Sequence, residues 1–253
     1  MVNHRLVVQY DGAGFEGFAS QVHGRTVQDE LEKALAVLYK RPVKVLGTSR
    51  TDSGVHAIAQ VVSYQAKPII PFNKLPLALN SLLPESVRVF KAEKAPDKFV
   101  PRFAAKSKTY EYLIFNGQPI PPAVRRFAWQ VKPKLDLKAM RRGGAQLLGR
   151  HDFSAFRNAG GEKRNAVRDL RGVWVRRKKI RLWDGFAVEV ISLKFQANGF
   201  LYRMVRNLVG TLVDIGTGKL ETKVLPVLLK KKDRRPAGRT APPQGLCLIK
   251  VVN

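Results

Sequence analysis

Segments patterned as strands outnumber those patterned as helices, and this limits the chain more than any other feature. Most strand pairs have no helix available to cross over between them. Apolar or alternating runs at Arg5–Tyr10, Val43–Gly47, Val55–Tyr64, Val87–Lys91 and Thr109–Asn116 predict strands early in the chain. Leu170–Val175, Phe186–Phe195 and Leu246–Val252 predict three more. One helix is predicted from Thr26, an N-cap with Asp29 three residues on, its apolar stripe being Val27, Leu31, Leu35 and Leu38, with Pro42 closing it. Others are predicted within Phe72–Leu83, from Asp136 to Leu148, over Leu201–Ile215 with Gly216 as terminator, and near Val224–Lys231. Such an inventory favours an α+β mixed sheet over a doubly wound parallel one. Pro-rich Gln118–Pro122 is the candidate hinge, giving an N-terminal half, 1–116, and a C-terminal half, 117–253.

Charge narrows the class of partner. The 253 residues carry 46 Lys+Arg against 19 Asp+Glu, a formal net charge of +27. With 45% hydrophobic residues the chain can build a core, so it is not a disordered basic tail. A globule so lopsided repels itself, and a polyanionic partner, nucleic acid or an acidic membrane surface, is the usual reason to tolerate that. Arg176-Arg177-Lys178-Lys179 with Arg181, Lys230-Lys231-Lys232 with Arg234 and Arg235, Arg125-Arg126 and Arg141-Arg142 together favour nucleic acid. Contacts of this kind set affinity and register without reading sequence.

Several classes fall away. Cys247 is the single cysteine, which excludes a disulfide scaffold, and the four histidines lack ligand spacing for zinc. No apolar run reaches the roughly 18–20 residues of a membrane span, and Met1–Tyr10 is too short and polar for a signal peptide. The expectation is a cytoplasmic protein in a reducing compartment. Gly12-x-Gly14-x-x-Gly17 follows a strand, as a dinucleotide fingerprint does, but no helix opens within it: the next cannot start before Thr26. The plainer reading is a turn-rich loop. Gly216–Lys219 resembles part of a phosphate loop, yet Val213 holds the first glycine position and a helix precedes it.

The informative segment is Gly47–Ala57, Gly-Thr-Ser-Arg-Thr-Asp-Ser-Gly-Val-His-Ala. Asp52 lies in a short polar loop between two apolar strands, with Arg50 two residues earlier. Asp-Ser-Gly alone is a good turn sequence. A carboxylate on a face that binds a polyanion adds no affinity, however, so in a cleft Asp52 would serve chemistry or hydrogen bonding. Composition leaves both open.

This segment resembles the signature loop, Arg-Thr-Asp-x-Gly-Val-His, of the TruA family of tRNA pseudouridine synthases. The likeness continues in Tyr10-Asp11-Gly12 through Gly17-Phe18, in Thr26–Leu35, and in Arg102-Phe103-Ala104 with Lys108–Tyr112. It extends to Phe200–Gly210 and to Gly245-Leu246. Ser49, Ser53 and Phe18-Ala19-Ser20 depart from the family pattern.

The resemblance implies two similar α/β halves joined into one mixed, largely antiparallel sheet with a central basic RNA-binding cleft. It implies tRNA as partner, a homodimer in which one tRNA meets both subunits, targets at positions 38–40 of the anticodon arm, and no cofactor or metal. Asp52 matches the essential carboxylate, the nucleophile. Whether it attacks the base, attacks C1′ or abstracts a sugar proton is left open. Arg206 is the candidate guanidinium that keeps it ionised. Arg50 would fill the gap left by the extruded uridine or hold its phosphate. Tyr110 would stack on the flipped uracil and assist loss of the C5 proton, with Leu246 as its packing neighbour and Phe103 as a further substrate contact. A non-catalytic basic RNA-binding protein is the alternative, and it would need the basic runs but not Asp52.

Overall fold

The structure is a computed structural model and describes residues 1–160 and 165–253. The elements begin with β1 (Val2–Tyr10), α1 (Val27–Tyr39), β2 (Leu46–Gly47), β3 (His56–Ala66), α2 (Leu75–Asn80), β4 (Val87–Ala95) and α3 (Pro101–Ala104). They continue with β5 (Ser107–Asn116), α4 (Pro122–Arg125), β6 (Trp129–Val131), α5 (Leu137–Ala145) and β7 (Gly149–Asp152). The chain ends with β8 (Val167–Trp183), β9 (Phe186–Ala197), α6 (Met204–Gly216), α7 (Val224–Lys231) and β10 (Leu246–Val252). The class is α+β: pairing is largely antiparallel, with β10 on β3 and β6 on β5 running parallel.

Two compact units form, Met1–Lys106 with Cys247–Asn253, and Ser107–Leu246. This division differs from a boundary after Asn116. β5 pairs with β9 over Lys108–Ile114, which carries it into the second unit, and the residues from Cys247 onward return to the first. Gln118–Pro122 is a connection inside the second unit, between the paired strands β5 and β6.

In the first unit β1 lies between β4 and β3, antiparallel to both. His4, Leu6, Val8 and Tyr10 alternate onto the buried side of β1, as the two-residue period of a strand requires. Thr26 caps α1 by accepting from the Asp29 amide, and Lys40 ends the helix in the left-handed region two residues before Pro42. Val27, Leu31 and Leu35 are its buried stripe. Only Leu46–Gly47 of the expected 43–47 strand is extended in the sheet. The Val45 backbone is instead satisfied by α1: its amide donates to Glu32 Oε1 at 3.0 Å, and its carbonyl accepts from Gln28 Nε2 at 3.2 Å.

In the second unit β9 lies between β5 and β8, with β7 beyond β8. The β8–β9 hairpin is longer than its apolar pattern predicted, and turns on Asp184-Gly185 with Gly185 at φ +75°. α5, capped by Asp136, packs on α6 and β8. Gly216 does not terminate α6 as expected; it is the last helical residue, and Gly218, at φ +76°, makes the left-handed turn. Gly216 has a packing role, since a Cβ there would stand 2.8 Å from Met140 Sδ. Among the described residues no helix is long and apolar enough to cross a membrane.

Candidate active site

The loop from Thr48 to Val55 leaves β2 and feeds β3. Its own strand anchors one end: the Thr48 amide and hydroxyl both donate to the Val61 carbonyl at 2.9 Å. Gln60 clamps Ser49, its Oε1 accepting from the Ser49 amide at 3.3 Å and its Nε2 donating to the Ser49 carbonyl at 2.6 Å. Val55 N–H then closes the turn onto the Asp52 carbonyl at 3.1 Å, with Gly54 at φ +76°.

A second loop, Asp11–Gly24, holds the first from the other side. Phe18 N–H donates to the Thr51 carbonyl at 3.2 Å, and the Phe15 carbonyl accepts from Gly54 N–H at 3.2 Å and from Ser53 Oγ at 3.3 Å. Tyr10 Oη and Thr51 Oγ1 lie 2.8 Å apart, both buried. The glycine motif finds its explanation here. A Cβ on Gly12 would stand 2.1 Å from the Val55 carbonyl oxygen, and one on Gly17 would stand 2.5 Å from that of Thr51. Gly17 also sits at φ +97°. Two backbones approach too closely for side chains, and α1 begins only at Val27, so these glycines pack loop against loop and form no dinucleotide cradle.

The outcome is an acid on an immobilised backbone. Thr48, Ser49, Thr51 and Val55 are buried, whereas Arg50 and Ser53 are exposed and Asp52 is partly exposed, so both candidate residues are accessible. His56, the first residue of β3, is buried beneath. Its Nδ1 lies 3.0 Å from the Gly12 amide and 3.1 Å from Asp11 Oδ1, so the proton on Nδ1 selects between them. Phe103, in the same unit on α3, is 78% exposed, and α3 packs against β2 and β3.

The second unit holds the other candidates. Tyr110, on β5, is 7% exposed and stands edge-on to Phe200, centroids 5.2 Å apart at 89°. Arg206 lies in the first turn of α6, where its Nε donates to the Ala241 carbonyl at 2.8 Å while Ala241 N–H donates to the Arg206 carbonyl at 3.0 Å. Gly210 permits that contact, because a Cβ there would meet the Arg239 carbonyl oxygen at 1.7 Å. Buried Asn207 pins the same segment: its Oδ1 accepts from Thr240 Oγ1 at 2.6 Å and from Arg234 Nη2 at 2.9 Å. Tyr112 completes the support, donating to the Pro242 carbonyl at 2.8 Å. Burial pushes its phenol far up, partly opposed by Arg206 and Arg239. Leu246, the first residue of β10, is buried.

Sequence reasoning missed Tyr10, His56, Gln60 and Asn207 as the residues that position these groups. Tyr10, His56 and Asn207 lie within the recognised motifs, and that membership was the available signal.

A family model described as tRNA pseudouridine synthase matches residues 6–104 and 145–252. The chain is 40% identical over 252 residues to the tRNA pseudouridine synthase A of Thermoanaerobacter sp. (strain X514), covering 100% of both chains. It is 38% identical over 252 residues to that of Caldicellulosiruptor bescii, again covering 100% of both. With that of Geotalea uraniireducens the identity is 37% over 247 residues and 98% of each chain. The match spans both described units and includes the loop that carries Asp52, and the chain belongs to the tRNA pseudouridine synthase family.

Proposed function

We propose that this protein isomerises uridine to pseudouridine in the anticodon stem-loop of tRNA, at positions 38–40, with Asp52 as the essential nucleophile. The observation that carries this reading is the Asp52 loop itself: it is bonded from β3 and from the Asp11–Gly24 loop, while Asp52 remains partly exposed. A group held in that way is preorganised for attack.

The reaction breaks the N1–C1′ bond and forms C5–C1′. C5 loses a proton and N1 gains one, so the change is an isomerisation that balances without an oxidant or reductant. Asp52 supplies the negative charge. Arg206 supplies a guanidinium fixed by Ala241, suited to keeping a carboxylate ionised. Arg50 takes the phosphate or the space vacated by the extruded nucleotide. Tyr110 offers a ring face to the uracil, and Leu246 and Phe103 provide apolar contacts. The protein works as a homodimer whose two subunits share one tRNA.

Incubating the purified protein with unmodified tRNA transcripts and mapping pseudouridine tests class, substrate and site together. Product confined to 38–40 supports the proposal. Product elsewhere overturns the target, and no product with retained tRNA binding favours a non-catalytic RNA-binding protein. Sedimentation of the free protein reads the dimer.

A further inference from the structure

The β8–β9 hairpin ends in an exposed aromatic pair. Trp183 and Phe186 face each other across the Asp184-Gly185 turn, centroids 5.8 Å apart at 47°, and Trp183 is 65% exposed. Leu182 beside them is also exposed. Behind this tip, Arg177, Lys179 and Arg181 project from one face of β8, since alternate residues share a face. Glu189 pairs with Arg177, but among the described residues Lys179 and Arg181 have no carboxylate within ion-pair distance. Lys179 and Arg181 stand about 7 Å apart, on the scale that separates neighbouring phosphates.

The cationic strip continues away from the tip. Arg177 joins Lys134, Lys138 and Arg141 around a shallow depression at the start of α5. Arg141 Nε donates to the Val175 carbonyl at 2.9 Å, which fixes the basic side of α5 to β8. The acid of that depression, Asp136, is occupied with capping: its Oδ1 accepts from the Lys138 and Ala139 amides.

Distance separates this surface from the nucleotide pocket. Tyr110 is the register partner of Phe195, and Phe186 lies nine residues further along β9. At about 3.4 Å per residue the tip is about 30 Å from Tyr110. A flipped nucleotide and its neighbours do not span that length.

We propose that the strip and tip form a second RNA surface, gripping phosphates and stacking an unpaired base of the tRNA remote from the target nucleotide. Cations beside exposed aromatics are the chemistry that holds single-stranded or irregular RNA, and the positive strip is complementary in charge to a phosphate backbone. The inference rests on the tRNA reading above but not on catalysis.

The test uses Lys179→Gln/Arg181→Gln and Trp183→Ala, all exposed positions that leave the hairpin ladder intact. Binding of a full tRNA transcript and of a short stem-loop RNA carrying the target uridine is followed against salt. For the charge variant the salt slope on full tRNA should fall by about two, with affinity down about tenfold. Trp183→Ala should cost at least about fivefold on full tRNA. Both should bind the short stem-loop, and turn over saturating tRNA, as wild type does. Equal losses on both RNAs overturn the remote location, and no loss on either overturns the RNA role. A changed sedimentation mass for Trp183→Ala makes the tip a contact between copies and overturns the proposal as well. If the wild type forms no pseudouridine, the catalytic reading fails while the salt slopes still report on the strip.

Discussion

Tyr10 Oη sits 2.8 Å from Thr51 Oγ1, tying the last residue of β1 to the residue immediately before Asp52. This pair makes the strand the reference frame for the acid. Tyr10→Phe keeps the ring in its buried place and removes the bond. Stability should fall by about 1 kcal/mol, because the Thr51 hydroxyl is left buried without its partner. If Tyr10 positions the loop, kcat should drop several-fold while KM for tRNA stays near wild type. A variant that loses only stability shows Tyr10 to be ordinary packing.

The two loops meet where glycine is needed, and the three glycines of the motif should respond differently. Gly12→Ala puts a methyl into the Val55 carbonyl, and Gly17→Ala adds a disfavoured φ to a clash with Thr51. Each should cost about 1–3 kcal/mol in urea unfolding and depress turnover sharply. Gly14 has nothing within 4 Å of a built Cβ, so Gly14→Ala should pass as wild type in both measurements. Equal effects at all three positions would mean that close approach is not what the motif serves.

That contrast marks what the sequence could and could not convey. The α1 cap at Thr26, the helix Val224–Lys231 and the strand Leu246–Val252 were legible because each rests on local signals of capping or period. Asp52 and Arg50 stood out through a short motif. The purpose of Gly12 and Gly17 was not legible, since their partners are carbonyls some 40 and 30 residues away that only the folded loops bring near. Val43–Val45 misled for a related reason. An apolar run reads as a strand until Gln28 and Glu32 of a helix take its backbone bonds. Gly216 read as a stop because glycine commonly ends helices, whereas here Met140 and Leu135 demand the missing side chain.

His4 predicts a pH dependence of stability. It is fully buried, stacked on Tyr64 at 4.5 Å and flanked by Phe72 and Tyr39. Nδ1 lies 3.0 Å from the Val2 carbonyl, and Nε2 has no partner among the described residues. Desolvation by burial holds its pKa below 6.5, against a smaller opposing effect of the Val2 bond. The unfolded chain therefore binds the proton first as pH falls. The contribution is whole above about 6.5 and is lost as pH drops from there toward the folded pKa, at up to about 1.4 kcal/mol per pH unit. His4→Phe should remove that component from the pH profile of urea unfolding. Superimposable wild-type and variant slopes between pH 7 and 5 would assign the dependence to other groups.

Asp52→Asn separates scaffold from chemistry. The Asp52 carbonyl accepts from Val55 N–H, and the loop around it is held through Thr51, Ser53 and Gly54. Asn has nearly the volume and turn preference of Asp, so all of these survive the exchange. Melting temperature should stay within a degree or two of wild type. What disappears is the negative charge, which alone can act as nucleophile. Turnover should fall at least about a thousandfold, below detection in a mapping assay. Affinity for tRNA should hold or improve slightly, because an anion has been removed from a surface that meets phosphates. The combination discriminates: a structural acid would cost stability, a binding acid would weaken affinity, and a nucleophile costs rate without loss of either. A folded Asp52→Asn protein that forms pseudouridine at the wild-type rate would reject Asp52 as the reacting group and return the search to the other unit.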